Sequence, residues 1–133
     1  MLVLIVGFTA VVLLLIAVVT DVSAVFLARR ALTAQADGAA VAAAQAIDEE
    51  AFYTGAASPD RLPLDRTAAR RAAGEYLAGA RIGGGPVLLR SLTAIDGRVT
   101  VTVAGEARPP FRRFLAGTAV PLTAIAAADS PLG

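Results

Sequence analysis

With 133 residues, a net charge of +1, no cysteine and no histidine, the chain rules out several functional classes at the start. It has no means of building a disulfide framework or a thiolate metal site. It lacks the commonest general base and metal ligand, and its charge balance gives no electrostatic footprint for nucleic acid. Hydrophobic residues make up 56% of the sequence, and all twelve basic residues are arginine.

From Met1 to Thr20 there is no charge and no proline, and fourteen positions are Leu, Ile, Val or Phe. Twenty residues at about 1.5 Å each span roughly 30 Å, the hydrocarbon thickness of a bilayer. Residues 1–20 are therefore predicted to be a transmembrane helix, forced into helix in lipid because the backbone must bond to itself. Val22-Ser23-Ala24 offers small residues at which a signal peptidase could cut. The apolar stretch is, however, longer than a usual signal core, and no basic segment precedes it. A leader ahead of Met1 is a further alternative.

No proline occurs before Pro59, and Gly38 is the only glycine between Asp21 and Ile47. The helix is therefore expected to continue to about Ile47–Phe52 as an amphipathic half, residues 21–52. Arg30, Thr33, Asp37, Gln45 and Asp48 share one face. Val25, Ala28, Leu32, Ala36, Ala39, Ala43 and Ala46 share the other. That second face is small-sided, which suits close packing against its own domain, against neighbouring helices, or both. Asp21 marks the water edge of the span or, in a bundle, requires a basic partner. The candidates for helix packing and assembly are Asp21, Val25, Ala28, Arg29, Arg30, Leu32, Ala36, Asp37, Ala39 and Ala43.

Residues 53–133 are expected to form a small α+β domain. Gly55–Pro63 reads as a loop, and Asp65 as the cap of a second helix from Arg66 to Leu77 or Gly79. That helix has Ala69, Ala72, Ala73, Tyr76 and Leu77 on its apolar face, and Gly79 and Gly83-Gly84-Gly85-Pro86 end it. Asp96-Gly97 is the two-residue turn of a β-hairpin. Ile95 with Arg98 is the first pair and sets the register; Ala94 then faces Val99, Leu92 faces Val101 and Arg90 faces Val103 on one side, and Thr93 faces Thr100 and Ser91 faces Thr102 on the other. Arg90 is the misfit on the apolar face. After Pro109-Pro110, Phe111–Leu115 is expected to form a short helical turn, and Ala119–Ala128 an edge strand, in view of Pro121. Val120, Leu122 and Ala124 point inward. The fold class is thus α+β: a long N-terminal transmembrane/amphipathic helix packed on a small antiparallel three-stranded sheet, pilin-like.

No constellation points to catalysis. Ser23 and Ser91 have no histidine to activate them. Gly83-Gly84-Gly85 lacks the Gly-Lys-Ser/Thr of a phosphate loop and reads as a linker. Asp48-Glu49-Glu50 reads as solvated charge rather than a cation site. Arg112-Arg113, between Phe111 and Phe114, could touch lipid headgroups or a partner. No catalytic, cofactor or metal residue is assigned, and neither an enzyme nor a small-molecule substrate is expected.

The run from Asp21 to Ala44 (apolar span, Asp21, Phe26, paired Arg29-Arg30, then an alanine-rich helix containing Ala36-Asp37) resembles the N-terminal segment of TadE/TadG-like proteins of the tight adherence (Flp) pilus system. The resemblance covers roughly residues 1–48. It implies a bacterial envelope protein held in the cytoplasmic membrane by its helix, with the membrane and other pilus subunits or copies of itself as partners. Processed pilins carry a Glu in a Glu-Phe context near the mature start, where this chain has Gly7-Phe8-Thr9. Longer TadG proteins continue into a large C-terminal domain, whereas this sequence ends at Gly133, which points to a short minor-pilin or pseudopilin-like subunit. Arg29 and Arg30 after the span favour a cytoplasmic C-terminus by the positive-inside tendency. The pilus reading puts the domain outside, and a basic leader reconciles the two. The competing reading is a secreted or membrane-anchored binding or adaptor domain unrelated to filaments.

Overall fold

The computed structural model describes residues 1–54, 62–111 and 119–129. Helix α1 (Leu2–Thr54) is one unbroken element, about 80 Å long at the helical rise. It runs past the expected end at Ile47–Phe52. Helix α2 (Leu62–Leu77) starts four residues before the expected Arg66, so Asp65 lies inside it rather than capping it, and Leu62-Pro63 belong to the helix rather than to the loop. A helix can open through Pro63 because the missing N–H falls in the first turn, where no intrahelical bond is made. The remainder of the predicted loop, 55–61, lies outside the described residues.

Two short strands follow, β1 (Arg81–Ile82) and β2 (Gly85–Pro86), joined by Gly83-Gly84. The stretch expected to be a plain linker is thus a strand reversal. Both glycines have positive φ, which lets the chain reverse within two residues. A β-carbon at Gly83 would also lie 2.7 Å from the Glu106 carbonyl oxygen.

The main sheet is antiparallel, in the order β3 (Leu88–Ile95), β4 (Arg98–Ala107), β5 (Val120–Asp129). Its hairpin turn has positive φ at both Asp96 and Gly97, as a type I′ turn requires. The expected register holds from Ile95↔Arg98 to Ser91↔Thr102 and then breaks. A bulge between Leu89 and Ser91 pairs Leu89, not Arg90, with Val103. The extra residue lets half-buried Leu89 take the core side while Arg90 stays exposed, which removes the predicted misfit. Strand β5 is an edge strand carrying Pro121, with Leu122, Ala124 and Ala126 buried.

The core lies between this sheet and the second half of α1, with α2 packed beside α1. Helix α1 contributes Leu32, Ala36, Ala39, Ala40, Ala43 and Ala44, and α2 contributes Ala69, Ala73 and Leu77. The sheet contributes Leu92, Val99, Val101 and Val103, among others. Alanine allows the two helices to approach closely, and in one place glycine is needed. A β-carbon on Gly38 would fall within the Tyr76 ring, which lies across the helix there. Gly105 does the same for the sheet: a β-carbon would sit 3.2 Å from Leu32 Cδ1. No polar side chain is buried among the described residues.

Candidate functional site

The feature that sets this molecule apart is the half of α1 that its own domain leaves bare. Every residue from Met1 to Ile16 is exposed, and Leu2, Phe8 and Leu14 are 76%, 70% and 63% accessible. The helix is long and apolar enough to cross a membrane, and its most apolar window has no residue buried within the chain. Thr9 and Thr20 return their hydroxyls to the carbonyls of Ile5 and Ile16, each at 2.8 Å, so neither presents an unpaired donor to lipid.

The junction with the domain is built at Asp21. Pro109-Pro110 turns the chain after β4, and the Phe111 backbone N–H donates to Asp21 Oδ1 at 2.9 Å. A carboxylate is a strong acceptor for a backbone donor that has no strand partner. The acid expected to mark the water edge, or to seek a base on a neighbour, is thus engaged by its own domain. Leu32 against Gly105 and Asp21 against Phe111 together show that β4 descends toward the apolar half of α1. The Asp96-Gly97 turn is therefore at the far end.

Besides Asp21, the other nine candidate residues separate into two groups. Leu32, Ala36, Ala39 and Ala43 are fully buried in the chain's own core, with Val25 and Ala28 packed at its edge. These side chains are already covered. Arg29, Arg30 and Asp37 face outward with Phe26, Thr33 and Ala34, lining a shallow groove on the helix surface. The predicted patch at Arg112-Arg113 and Phe114 lies outside the described residues. No cluster of His, Cys, Asp or Glu able to hold a metal occurs among the described residues.

A second surface is the hydroxyl-bearing side of the hairpin, whose expected pairs Thr93–Thr100 and Ser91–Thr102 the structure keeps. The outer face of the sheet carries Ser91 and Thr93 on β3, Thr100, Thr102 and Ala104 on β4, and Thr123, Ile125 and Ala127 on β5. The middle of this face bears no charge. At its distal corner Arg98 Nε donates to Asp129 Oδ1 at 2.7 Å and Nη2 to Oδ2 at 3.1 Å. The hydrogen bond from Arg98 holds the Asp129 carboxyl below the usual carboxylate range. The alternation of threonine and valine in Thr100-Val101-Thr102-Val103 is the sequence signal for this face.

Residues 1–46 match the Tad family model, described as Flp pilus-assembly TadE/G-like. The matched stretch takes in the bare half of α1, the Asp21 junction and most of the domain-facing half. It supports the TadE/TadG-like resemblance and points to involvement in the Flp pilus-assembly system. No curated protein and no solved structure matches the chain.

Proposed function

We propose that this chain is a structural subunit of a Flp-type pilus, minor-pilin or pseudopilin-like, with no catalytic activity, cofactor or small-molecule substrate. One observation carries the reading: a single helix is the spine of a folded domain along one half and wholly uncovered along the other. A bare apolar rod of that length is costly in water. It is covered by lipid while the subunit waits in the cytoplasmic membrane, and by the same segment of neighbouring subunits once it enters a filament or its base. The domain then lies on the extracytoplasmic side. The uncharged middle of its sheet face is suited to lateral contacts, because a surface of Thr, Ser, Ala and Ile can be dried without stranding a charge.

The bond between Asp21 and Phe111 speaks against a soluble domain released by cleavage after Ala24, because that cut would remove the acceptor. Deletion and complementation test the proposal. Loss of the gene should reduce piliation or pilus-dependent adhesion, and the chain should restore it. Normal pili and adhesion in the deletion strain would refute a structural role.

A further inference from the structure

Asp21 is the only charged residue between Met1 and Ala28, yet the apolar surface of α1 does not stop there. Val22, Phe26 and Leu27 beyond it are 64%, 63% and 63% exposed, as bare as Val19 before it at 64%. The first charges that face outward are Arg29 and Arg30. From Leu2 to Ala28 the helix is about 40 Å long, close to the full bilayer including its headgroup layers rather than the hydrocarbon alone. Asp21 lies about 12 Å below Arg29 along the axis. It can sit at that depth because it faces the domain and accepts the Phe111 N–H. The same bond carries the domain's lower rim down with it: Pro110 and Phe111 are exposed there, the Phe111 residue by 40%.

We infer that the domain is seated in the membrane interface rather than held above it. Phe26, Leu27 and the Phe111 ring lie at the boundary of acyl chains and headgroups, and Arg29 and Arg30 engage the phosphates of anionic phospholipid. This rests on the reading that α1 is a membrane anchor, and it extends that reading from the span to the domain. The partner is a lipid surface because the bare strip is continuous with the span, and the arginine pair follows it at the spacing of a headgroup layer. Arginine suits phosphate through its planar, forked donors. The apolar body and charged tip of each side chain suit the boundary itself.

The chain contains no tryptophan, so single indoles report depth. Full-length Leu13→Trp, Phe26→Trp, Phe111→Trp and Ile95→Trp variants are reconstituted in phosphatidylcholine/phosphatidylglycerol vesicles. Quenching is measured with lipids brominated at different acyl positions and with aqueous iodide. The expected result is a deep indole for Leu13→Trp, shallow lipid-quenched indoles for Phe26→Trp and Phe111→Trp, and an iodide-quenched one for Ile95→Trp at the far end. Each arginine near an anionic surface favours the seated state by about fivefold. Adding Arg29→Gln and Arg30→Gln should therefore increase iodide access to the Phe26→Trp indole when phosphatidylglycerol is present, and not in phosphatidylcholine alone. Iodide-quenched indoles at both Phe26 and Phe111 with a deep one at Leu13 would overturn the seating while leaving the anchor intact. An aqueous indole at Leu13 would overturn both. Shielding from bromolipid and iodide alike, lifted on dilution of the protein in lipid, would overturn the seating in favour of a second copy covering this strip.

Discussion

Leu32 and Gly105 provide the sharpest energetic test of the domain. Leu32 is completely buried and, among the described residues, is the only large side chain that α1 contributes to the fully buried core; its other fully buried contributions there are alanines. Truncation to alanine removes about three methylene equivalents, or roughly 2.4 kcal/mol of transfer free energy. The backbones around it are held close by Ala36 and Gly105 and have little room to collapse, so a cavity term adds to this, for a total of about 3–5 kcal/mol. That is a large share of the roughly 5–15 kcal/mol expected of a domain this size. In urea titrations of the full chain in mild detergent, the midpoint should fall by roughly 1–5 M at the slopes of about 1–3 kcal/mol/M typical of small domains. Leu27→Ala, on an exposed position of the same helix, should stay within about 0.5 kcal/mol of the parent. Gly105→Ala alone places its methyl 3.2 Å from Leu32 Cδ1 and should cost about 1 kcal/mol or more by overpacking. In the Leu32→Ala background the same methyl enters the vacated space and should be neutral or stabilising. Additive effects in the two backgrounds would refute the packing argument, and so would equal costs at Leu27 and Leu32.

Three further outcomes are expected. Gly38→Ala gains about 1 kcal/mol of helix propensity but evicts the Tyr76 ring. Tyr76 is 47% exposed and meets the new methyl with the far end of its side chain, so displacing the ring offsets part of that gain in the parent, and the full gain should be seen in a Tyr76→Ala background, as urea midpoints will show. Asp21→Ala should speed amide hydrogen exchange at Phe111 by removing the acceptor, whereas Asp21→Asn, which keeps an oxygen there, should change it little. The Asp129 carboxyl has a folded-state pKa below its unfolded value because Arg98 donates to it. Its contribution is present above the ordinary carboxylate range and is lost as pH falls through the lowered folded value. Both side chains are well exposed, so Asp129→Asn should lower stability only slightly at neutral pH, and not at all in strong acid or high salt.

Much of the fold was legible because it is written in local patterns. The apolar run, the helical spacing of Leu32, Ala36, Ala39 and Ala43, and the Asp96-Gly97 turn each depend on neighbours in sequence. The features that escaped depend on contacts between distant segments. Arg90 could have betrayed the bulge, since an arginine on an apolar strand face is a local conflict that one extra residue resolves. Gly38 was noted only as a gap in a run of helix formers, although a lone mid-helix glycine often marks a close approach. The β1–β2 reversal hid in a glycine run with no side-chain pattern to read. The hydrogen bond between Asp21 and Phe111 joins residues ninety apart and left no periodic trace, so the acid looked like a boundary marker. The assembly candidates mixed two populations for the same reason. Spacing finds the apolar side of a helix but cannot say whether its own domain or a neighbour covers it.

The central claim, incorporation into a pilus, is tested most directly by locating the subunit in filaments. The chain has no cysteine, and Ser91 is exposed on the outer sheet face, so Ser91→Cys offers a single thiol for a membrane-impermeant maleimide on intact, piliated cells. After labelling, filaments are sheared, purified and separated from membranes. The expected result is labelled protein co-purifying with filaments or with their basal fragments. Thiol protected in intact cells and recovered only after lysis, with no subunit in the filament or basal fraction, would contradict the claim.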